Sequence, residues 1–315
     1  MIRTGIYKLE KFDRAALKDI FGREKNISIS LYKQLNKIDN FEEKTEYAEI
    51  ILNRFNTDRN VIKRTYRDRF NKFDSLSINK IQDQGYNRIS ILDLAISDGR
   101  ASCFFLEQAL LKLQNFQYTG SDIHINYYLN KIKSGNKSFI ITDEDQKIIE
   151  IVYPPFVWNL ARTEGSFYFI NNLLKNHYLK KARAAFLNNK FTYQEKIELI
   201  HPDYQTLLTK SKDFHIRKHD LFDVIPEKYS VIRSMNILHT GYFDRDHLSS
   251  ILNNIYNGLE MNGLLIEGSN ENAGSPVDGA IYRKYEKGFN ILSEPEKPSR
   301  ISELVLSFRD INKND

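Results

Sequence analysis

The residues best suited to chemistry gather around one short turn. Asp93-Leu94-Ala95-Ile96-Ser97-Asp98-Gly99 follows an apolar run, ISILDLAI, and leads into an apolar helical pattern over residues 101–113. In a parallel sheet such a strand-to-helix turn lies at the carboxyl edge, where backbone amides can approach a ligand. Small side chains at Ala95, Ser97 and Gly99 permit that approach. Alanine and serine do so at ordinary backbone angles, whereas a left-handed angle would make either costly. About thirty residues on, the run FQYTGSDI ends in Asp122 and Ile123. A carboxylate is acceptor-only, so Asp122 suits a pair of ribose hydroxyls. A third run, FHIRKHDLF, reaches Asp220 and Leu221, an acid able to accept from an exocyclic adenine amine and a side chain able to pack on the ring. The chemistry implied is the holding of a nucleoside. His239, just past the run YSVIRSMNIL, is placed to act as a general base towards an oxygen or nitrogen nucleophile.

Other chemistries find little support. A dinucleotide-binding G-x-G-x-x-G has no match in the first turn, and no GK[ST] of a phosphate-binding loop occurs. His215 and His219 are four apart, but on a strand that spacing separates them too far to share an ion, so no metal is expected. Cys103 is the only cysteine, which excludes an intramolecular disulfide and a cysteine-rich metal site. Its apolar surroundings, CFFLEQALLKL, read as those of a buried, inert thiol.

The elements that must position these residues alternate between strand and helix. The strand at 89–96, the helix at 101–113 and the strand FQYTGSDI make a right-handed crossover with parallel strands. Strands FHIRKHDLF and YSVIRSMNIL follow, then a helix from about 246 to 259 closed by an Asn-Gly pair, then the strand LLIEGS. At the tail, IYRKYEKGFNIL and ISELVLSF are expected to pair as an antiparallel hairpin. Residues 1–85 show helical stripes, Ile27, Leu31, Leu35 and Ile38 among them, and Ala48, Ile51, Leu52 and Phe55. They are expected to form a basic helical unit preceding a domain over 86–315. Between about 125 and 211 lies an insertion too long for a structureless loop. Within it, FIITDEDQKIIEIVY reads as a hairpin turning at DEDQ, and SFYFINNLLKNHYLKKARAAFL as a long helix with aromatics on one side and cations on the other. Pro154-Pro155 with Phe156 and Trp158 reads either as the core of a lid or as an aromatic wall against a ligand.

These residues resemble the class I S-adenosylmethionine-dependent methyltransferases. The first motif of that family, an acid followed by alternating glycines, is similar to Asp93, Ala95, Ser97 and Gly99, with two glycines replaced by other small residues. The likeness continues through Asp122, Asp220, VIRSMNIL and LLIEGS, covering roughly residues 89–270 apart from the insertion. It implies an α/β, Rossmann-like, mostly parallel seven-stranded sheet ending in an antiparallel hairpin, and S-adenosyl-L-methionine as cofactor. The segment SMNILHTGYFDRDHLSSILNNIYNGLEMNGLLIEGS is similar to the chemoreceptor glutamate methyltransferases. That resemblance puts Asn236 beside the sulfonium and Tyr242-Phe243 in the place of the family's aromatic pair, making Tyr242 a catalytic candidate alongside His239. The Ser-Gly-Glu-Glu-Pro continuation of the chemoreceptor enzymes is replaced by SDGRAS. The helices near the amino terminus and the insertion are expected to close over the pocket and select a methyl acceptor, a protein carboxylate or a small oxygen or nitrogen nucleophile. A second reading is a catalytically degenerate member of the fold that binds a partner or a membrane.

Composition agrees with a folded protein. Of 315 residues 41% are apolar and 28% charged, inside the ordinary range. No apolar stretch is long enough to span a bilayer, and the first residues lack the apolar centre of a signal peptide, so a cytoplasmic location is expected. Abundant Lys, Asn and Ile suggest a bacterial source. The net charge of +5 is spread among acids, as in DRNVIKRTYRDRF, which reads as a solvated helical face. No recognition motif accompanies it, so nucleic acid is not an expected partner. The aromatic and basic faces of the helix around 173–187 suit a membrane interface.

Overall fold

The computed structural model describes residues 4–12, 17, 24–55, 65–132, 138–161, 169–188, 191–272, 275–294 and 297–308. The chain divides into two units, one of residues 1–64 with 124–202, the other of residues 65–123 with 203–315. This boundary differs from a helical unit over 1–85: the described residues between Ile6 and Phe55 share their core with the insertion, and residues 65–85 belong with the second unit.

In the first unit, strands β1 (Gly5–Ile6) and β2 (Asn26–Ile27) pair in parallel and are followed by helices α1 (Ser30–Gln34) and α2 (Phe41–Leu52). Asn40 caps α2, its side chain accepting from the Glu43 amide at 3.0 Å. Ile27, expected on a helical stripe, is in β2. The insertion supplies an antiparallel sheet of β5 (Asn126–Ile132), β6 (Phe139–Asp143), β7 (Ile148–Tyr153), β8 (Phe156–Asn159) and β9 (Phe191–Glu198), in the order β8-β7-β6-β5-β9, and helix α5 (Phe169–Leu187). The expected hairpin at DEDQ is the β6–β7 connection. Alternation along the strands serves two cores. Phe139 and Ile141 join Leu31, Leu35, Ala48 and Ile51, while Ile140, Ile151 and Trp158 join Ala182 and Ala185 of α5. Trp158 is 1% exposed, lies 5.5 Å from Tyr178 ring to ring, and donates to Asn171 Oδ1 at 3.1 Å. Of the two readings of this aromatic segment, Trp158 answers to the core.

The second unit is the α/β layer. Strands β3 (Ile89–Leu94), β4 (Phe116–Asp122), β10 (Phe214–Lys218), β11 (Tyr229–Met235), β12 (Leu259–Ser269), β13 (Asp278–Tyr285) and β14 (Gly288–Ser293) form one sheet in the order β10-β4-β3-β11-β12-β13-β14. The pairs from β10 to β12 are parallel, and β13 and β14 close the sheet antiparallel. The expected Rossmann-like, mostly parallel seven-stranded sheet is therefore present. Its helices are α3 (Asn71–Gln82), α4 (Arg100–Lys112), α6 (Pro202–Leu208), α7 (Arg245–Gly258) and α8 (Ser302–Ser307). Leu248, Ile251, Leu252 and Ile255 give α7 its buried stripe against Leu92, Ile232 and Leu265.

One expectation at the tail is corrected. The hairpin forms within IYRKYEKGFNIL, as β13 and β14, and ISELVLSF is not its second arm but carries α8. Ile301, Leu304, Val305 and Phe308 recur at i, i+3, i+4 and i+7, a helical period, and all four meet the α7 core.

Candidate functional site

Strand register aligns the carboxyl ends that carry the candidates. Leu94 pairs with Ser121, Asp122 with Lys218, Leu94 with Ser234 and Met235 with Gly268. The residues just beyond these pairs therefore share one edge of the sheet. Between β3 and α4 the chain alternates in hand: Ala95, Ser97 and Gly99 have φ of 55°, 61° and 87°. The condition under which alanine and serine are costly is thus met at both positions, at about 1–2 kcal/mol each. The conformation is held by backbone bonds, Ile96 N–H to Ser121 O at 3.0 Å and Gly99 N–H to Ile96 O at 2.9 Å, and by the Ser97 amide, which donates to Asp122 Oδ2 at 2.8 Å.

The remaining turn residues face inward. Asp93 is 1% exposed and takes both oxygens to Arg233 Nη1, each at 2.9 Å, while accepting from the Tyr118 hydroxyl at 2.9 Å. Arg233 also reaches Asp74 of α3 at 3.0 Å. Two carboxylates hold the Arg233 guanidinium protonated against the cost of its burial, and burial pushes Asp74 up to about 6 despite Arg233. Asp98 is fully buried in a pair with Arg100 at 2.8 Å. Gly99 lies under Tyr204 of α6: a Cβ there would stand 2.2 Å from the ring, and one on Gly120 2.3 Å from the hydroxyl. Tyr204 donates to Tyr118 at 2.8 Å, extending the chain of hydrogen bonds to Asp93. Asp93, Asp98 and Gly99 consequently shape the turn from inside.

The other candidates lie along the rim. Asp122 is 9% exposed, and Ile123, Asp220, Leu221 and Asn236 are partly exposed, as are Ala95 and Ser97. The His219 amide donates to Asp122 O at 3.1 Å, which brings the ends of β4 and β10 together, and Asp220 Oδ1 caps the following turn from the Phe222 amide at 3.1 Å. Leu221 packs beside the α7 core. Asn236, at φ 61°, donates its amide to Gly268 O at 2.7 Å and accepts from the Asn270 amide at 3.3 Å. His239 and Tyr242 lie ring to ring at 4.4 Å, Tyr242 being 48% exposed. Burial, with the Arg300 charge, lowers the His239 pKa, so the ring is neutral at neutral pH. Its Nδ1 accepts from the Gly241 amide at 3.1 Å, which assigns the proton to Nε2. In that tautomer the free edge of His239 donates a hydrogen bond, and action as a base requires the Gly241 bond to break.

Two residues of this edge escaped the sequence reading. Arg69 donates through Nε to Asn270 Oδ1 at 2.5 Å and through Nη2 to Asn270 O at 2.7 Å, and the Asn270 amide returns a bond to Arg69 O at 3.1 Å. Burial lowers the Arg69 pKa, opposed by Tyr242 and Tyr66. Residues 65–70 of the segment read as a solvated helical face are therefore not one: they form a turn in which Phe70 is buried and Arg67 pairs with Asp203 and Glu107. Residues 58–64 of that segment lie outside the described residues. No local signal marks Arg69 or Asn270; for the cluster beneath the edge the signal is Arg233, a lone charge in an otherwise uncharged strand, which demands buried carboxylate partners without saying which. Among the described residues no group of acids, histidines or cysteines is arranged to hold a metal ion, and no helix is long and apolar enough to cross a membrane.

No family model and no curated protein matches the chain. Solved structures do. A TehB-like SAM-dependent methyltransferase from Corynebacterium glutamicum is 14% identical over 65% of this chain and 65% of its own, with a TM-score of 0.28. The N-methyltransferase NodS from Bradyrhizobium japonicum, in complex with S-adenosyl-L-homocysteine, is 10% identical over 63% and 61%, TM-score 0.29. SAM-bound CalS10, an amino pentose methyltransferase from Micromonospora echinaspora, is 7% identical over 70% and 65%, TM-score 0.30. The chain spans 37%, 57% and 65% of the lengths of the first three structures it matches. At these scores nothing about this chain's ligand follows from them.

Proposed function

We propose that the chain is an S-adenosyl-L-methionine-dependent methyltransferase. The observation that carries this reading is the turn after β3, where three left-handed residues, Ala95, Ser97 and Gly99, alternate beside an acid at the end of the adjacent strand, Asp122. Left-handed angles at two residues that have a Cβ are costly, and such strain is concentrated where a ligand meets the backbone. The residues present fit the group: the partly exposed turn at Ala95 and Ser97 for the amino-acid end, Asp122 for the ribose hydroxyls, Asp220, Ile123 and Leu221 for the adenine, and Asn236 at the end of β11. When bound, the cofactor supplies an electrophilic methyl group. The chain's own task is to hold an acceptor nucleophile in line with it, and most of the rate comes from that proximity. His239 Nε2–H and the Tyr242 hydroxyl orient the acceptor, a protein carboxylate or a small oxygen or nitrogen nucleophile, and Arg69 fixes the β12 end through Asn270. Asp93, Asp98 and Gly99 act as positioning residues.

Calorimetric titration with S-adenosylmethionine and S-adenosylhomocysteine tests the reading. We expect binding that Asp122→Ala weakens at least about 100-fold, since two hydrogen bonds to a charged acceptor are lost, with the far-ultraviolet circular dichroism unchanged. A second reading, a non-catalytic partner-binding member of the fold, is favoured by one observation: Asp122 Oδ2 is already engaged by the Ser97 amide. A folded protein that binds neither compound would establish that reading instead.

A further inference from the structure

We propose that the outer face of α5 docks on a lipid bilayer bearing anionic headgroups. This inference is independent of the methyltransferase reading. The helix, FINNLLKNHYLKKARAAFL, carries Lys175, Lys180, Lys181 and Arg183 and no acid, in a chain whose net charge is only +5. Lys175, Lys180 and Arg183 have no ion-pair partner among the described residues. The buried side of the helix is set by Asn171, Ala182 and Ala185, which pack towards the sheet of β5–β9. On the opposite side Phe169, Leu173 and Leu187 are 68%, 54% and 84% exposed, and Lys180 falls on the same stripe.

A single exposed apolar side chain is ordinary. Three on one stripe, joined by Ile170 at 53% exposure and interleaved with cations but no acids, have the composition of a helix lying in a membrane interface. The flank of the same helix adds a place for a headgroup. A groove of about 650 Å³ runs between α5 and the β6–β7 turn, lined by Ile148, Leu160 and Phe186 together with Lys147, Lys175 and Arg183. Cations and apolar side chains lining one groove suit a ligand that joins a phosphate to acyl chains. A nucleic acid would meet the same cations but offers nothing to Phe169, Leu173 and Leu187, so the bilayer is the occupant that uses the whole face.

Sedimentation of the full chain with vesicles tests this, using phosphatidylcholine alone and phosphatidylcholine mixed with phosphatidylglycerol. The protein is expected to pellet with the mixed vesicles at low salt, to release as salt is raised, and to stay in solution with phosphatidylcholine alone. Lys180→Gln and Arg183→Gln should each weaken binding about fivefold, and Phe169→Ser and Leu173→Ser about tenfold each. These side chains are exposed, so an unchanged thermal melt verifies that the variants fold. Failure to pellet with the mixed vesicles at low salt, or equal pelleting by the charge variants, overturns the proposal. So does binding of a single-stranded oligonucleotide that Lys180→Gln weakens while vesicles are ignored.

Discussion

Ala95 and Ser97 hold conformations that glycine would adopt without steric cost, and the neighbouring bonds keep them there. The Ser97 amide is tied to Asp122, and Ile96 and Gly99 are tied by backbone bonds on either side. The Asp122 carboxylate, which the proposed function sets at a ribose, thus also serves the turn. Replacement by glycine should remove the Cβ clash while restoring some freedom to the unfolded chain. Ala95→Gly and Ser97→Gly are each expected to stabilise the protein by about 0.5–1 kcal/mol, the steric cost less the entropic one. Urea denaturation of the two variants checks this, and a lowered midpoint in both would show that the side chains make compensating contacts. The alternation of small residues was legible in the sequence. Their φ was not, because alanine and serine occur in every backbone region and only the closed turn selects one.

At the scale of elements, the site edge depends on what lies beneath it. Strands β3 and β11 and helix α3 each contribute one member of the Asp93–Arg233–Asp74 cluster, and α6 adds Tyr204 through Tyr118. Phe105 of α4 stacks on the Arg233 guanidinium at 4.9 Å. Loss of the arginine alone would leave two carboxylates buried without a counter-charge, so Arg233→Met should destabilise by roughly 3–5 kcal/mol. A chemical denaturation midpoint measures it, and a change near zero would mean that both acids simply take up protons. The order of strands and helices from 89 to 270 could be read from apolar runs and their breaks, since each element there meets a period of its own. The partners of Arg233 could not, because Asp74 and Asp93 come from elements distant in sequence. ISELVLSF shows the converse failure: a short apolar segment reads as a strand by its length and composition, although its spacing is helical.

For the second unit as a whole, buried acids set a pH dependence. Burial pushes Glu267 of β12 up to about 8; the Ser299 hydroxyl pulls it down, Asp278 raises it and Arg300 lowers it. The native state therefore keeps this proton at pH values where the unfolded chain has released it. Stability then falls as pH rises from about 4.5 through about 8. Asp74 adds the same sign between its ordinary value and about 6. Glu267→Gln should flatten the alkaline limb and raise stability above that window by roughly 3–5 kcal/mol. Thermal melts below and above the window decide it: equal pH slopes for variant and parent would exclude Glu267 as the cause.

The sequence by itself determined the parallel α/β layer, the turn at residues 93–99 and the acids at 122 and 220, because periodicity and residue type are local properties of a chain. It also determined the insertion's hairpin and long helix, though not the helix's faces: Phe169 shares the exposed stripe with Lys180, and Tyr178 and Phe186 pack on the core, instead of aromatics and cations taking opposite sides. Only the tertiary structure decided that the described residues between Ile6 and Phe55 share their core with that insertion, that Asp93 and Asp98 are spent on arginines, and that Arg69 and Asn270 join the candidate edge. Those outcomes rest on which distant side chains meet when apolar faces are buried together, and a charge can be placed inside only where its partner has already been brought.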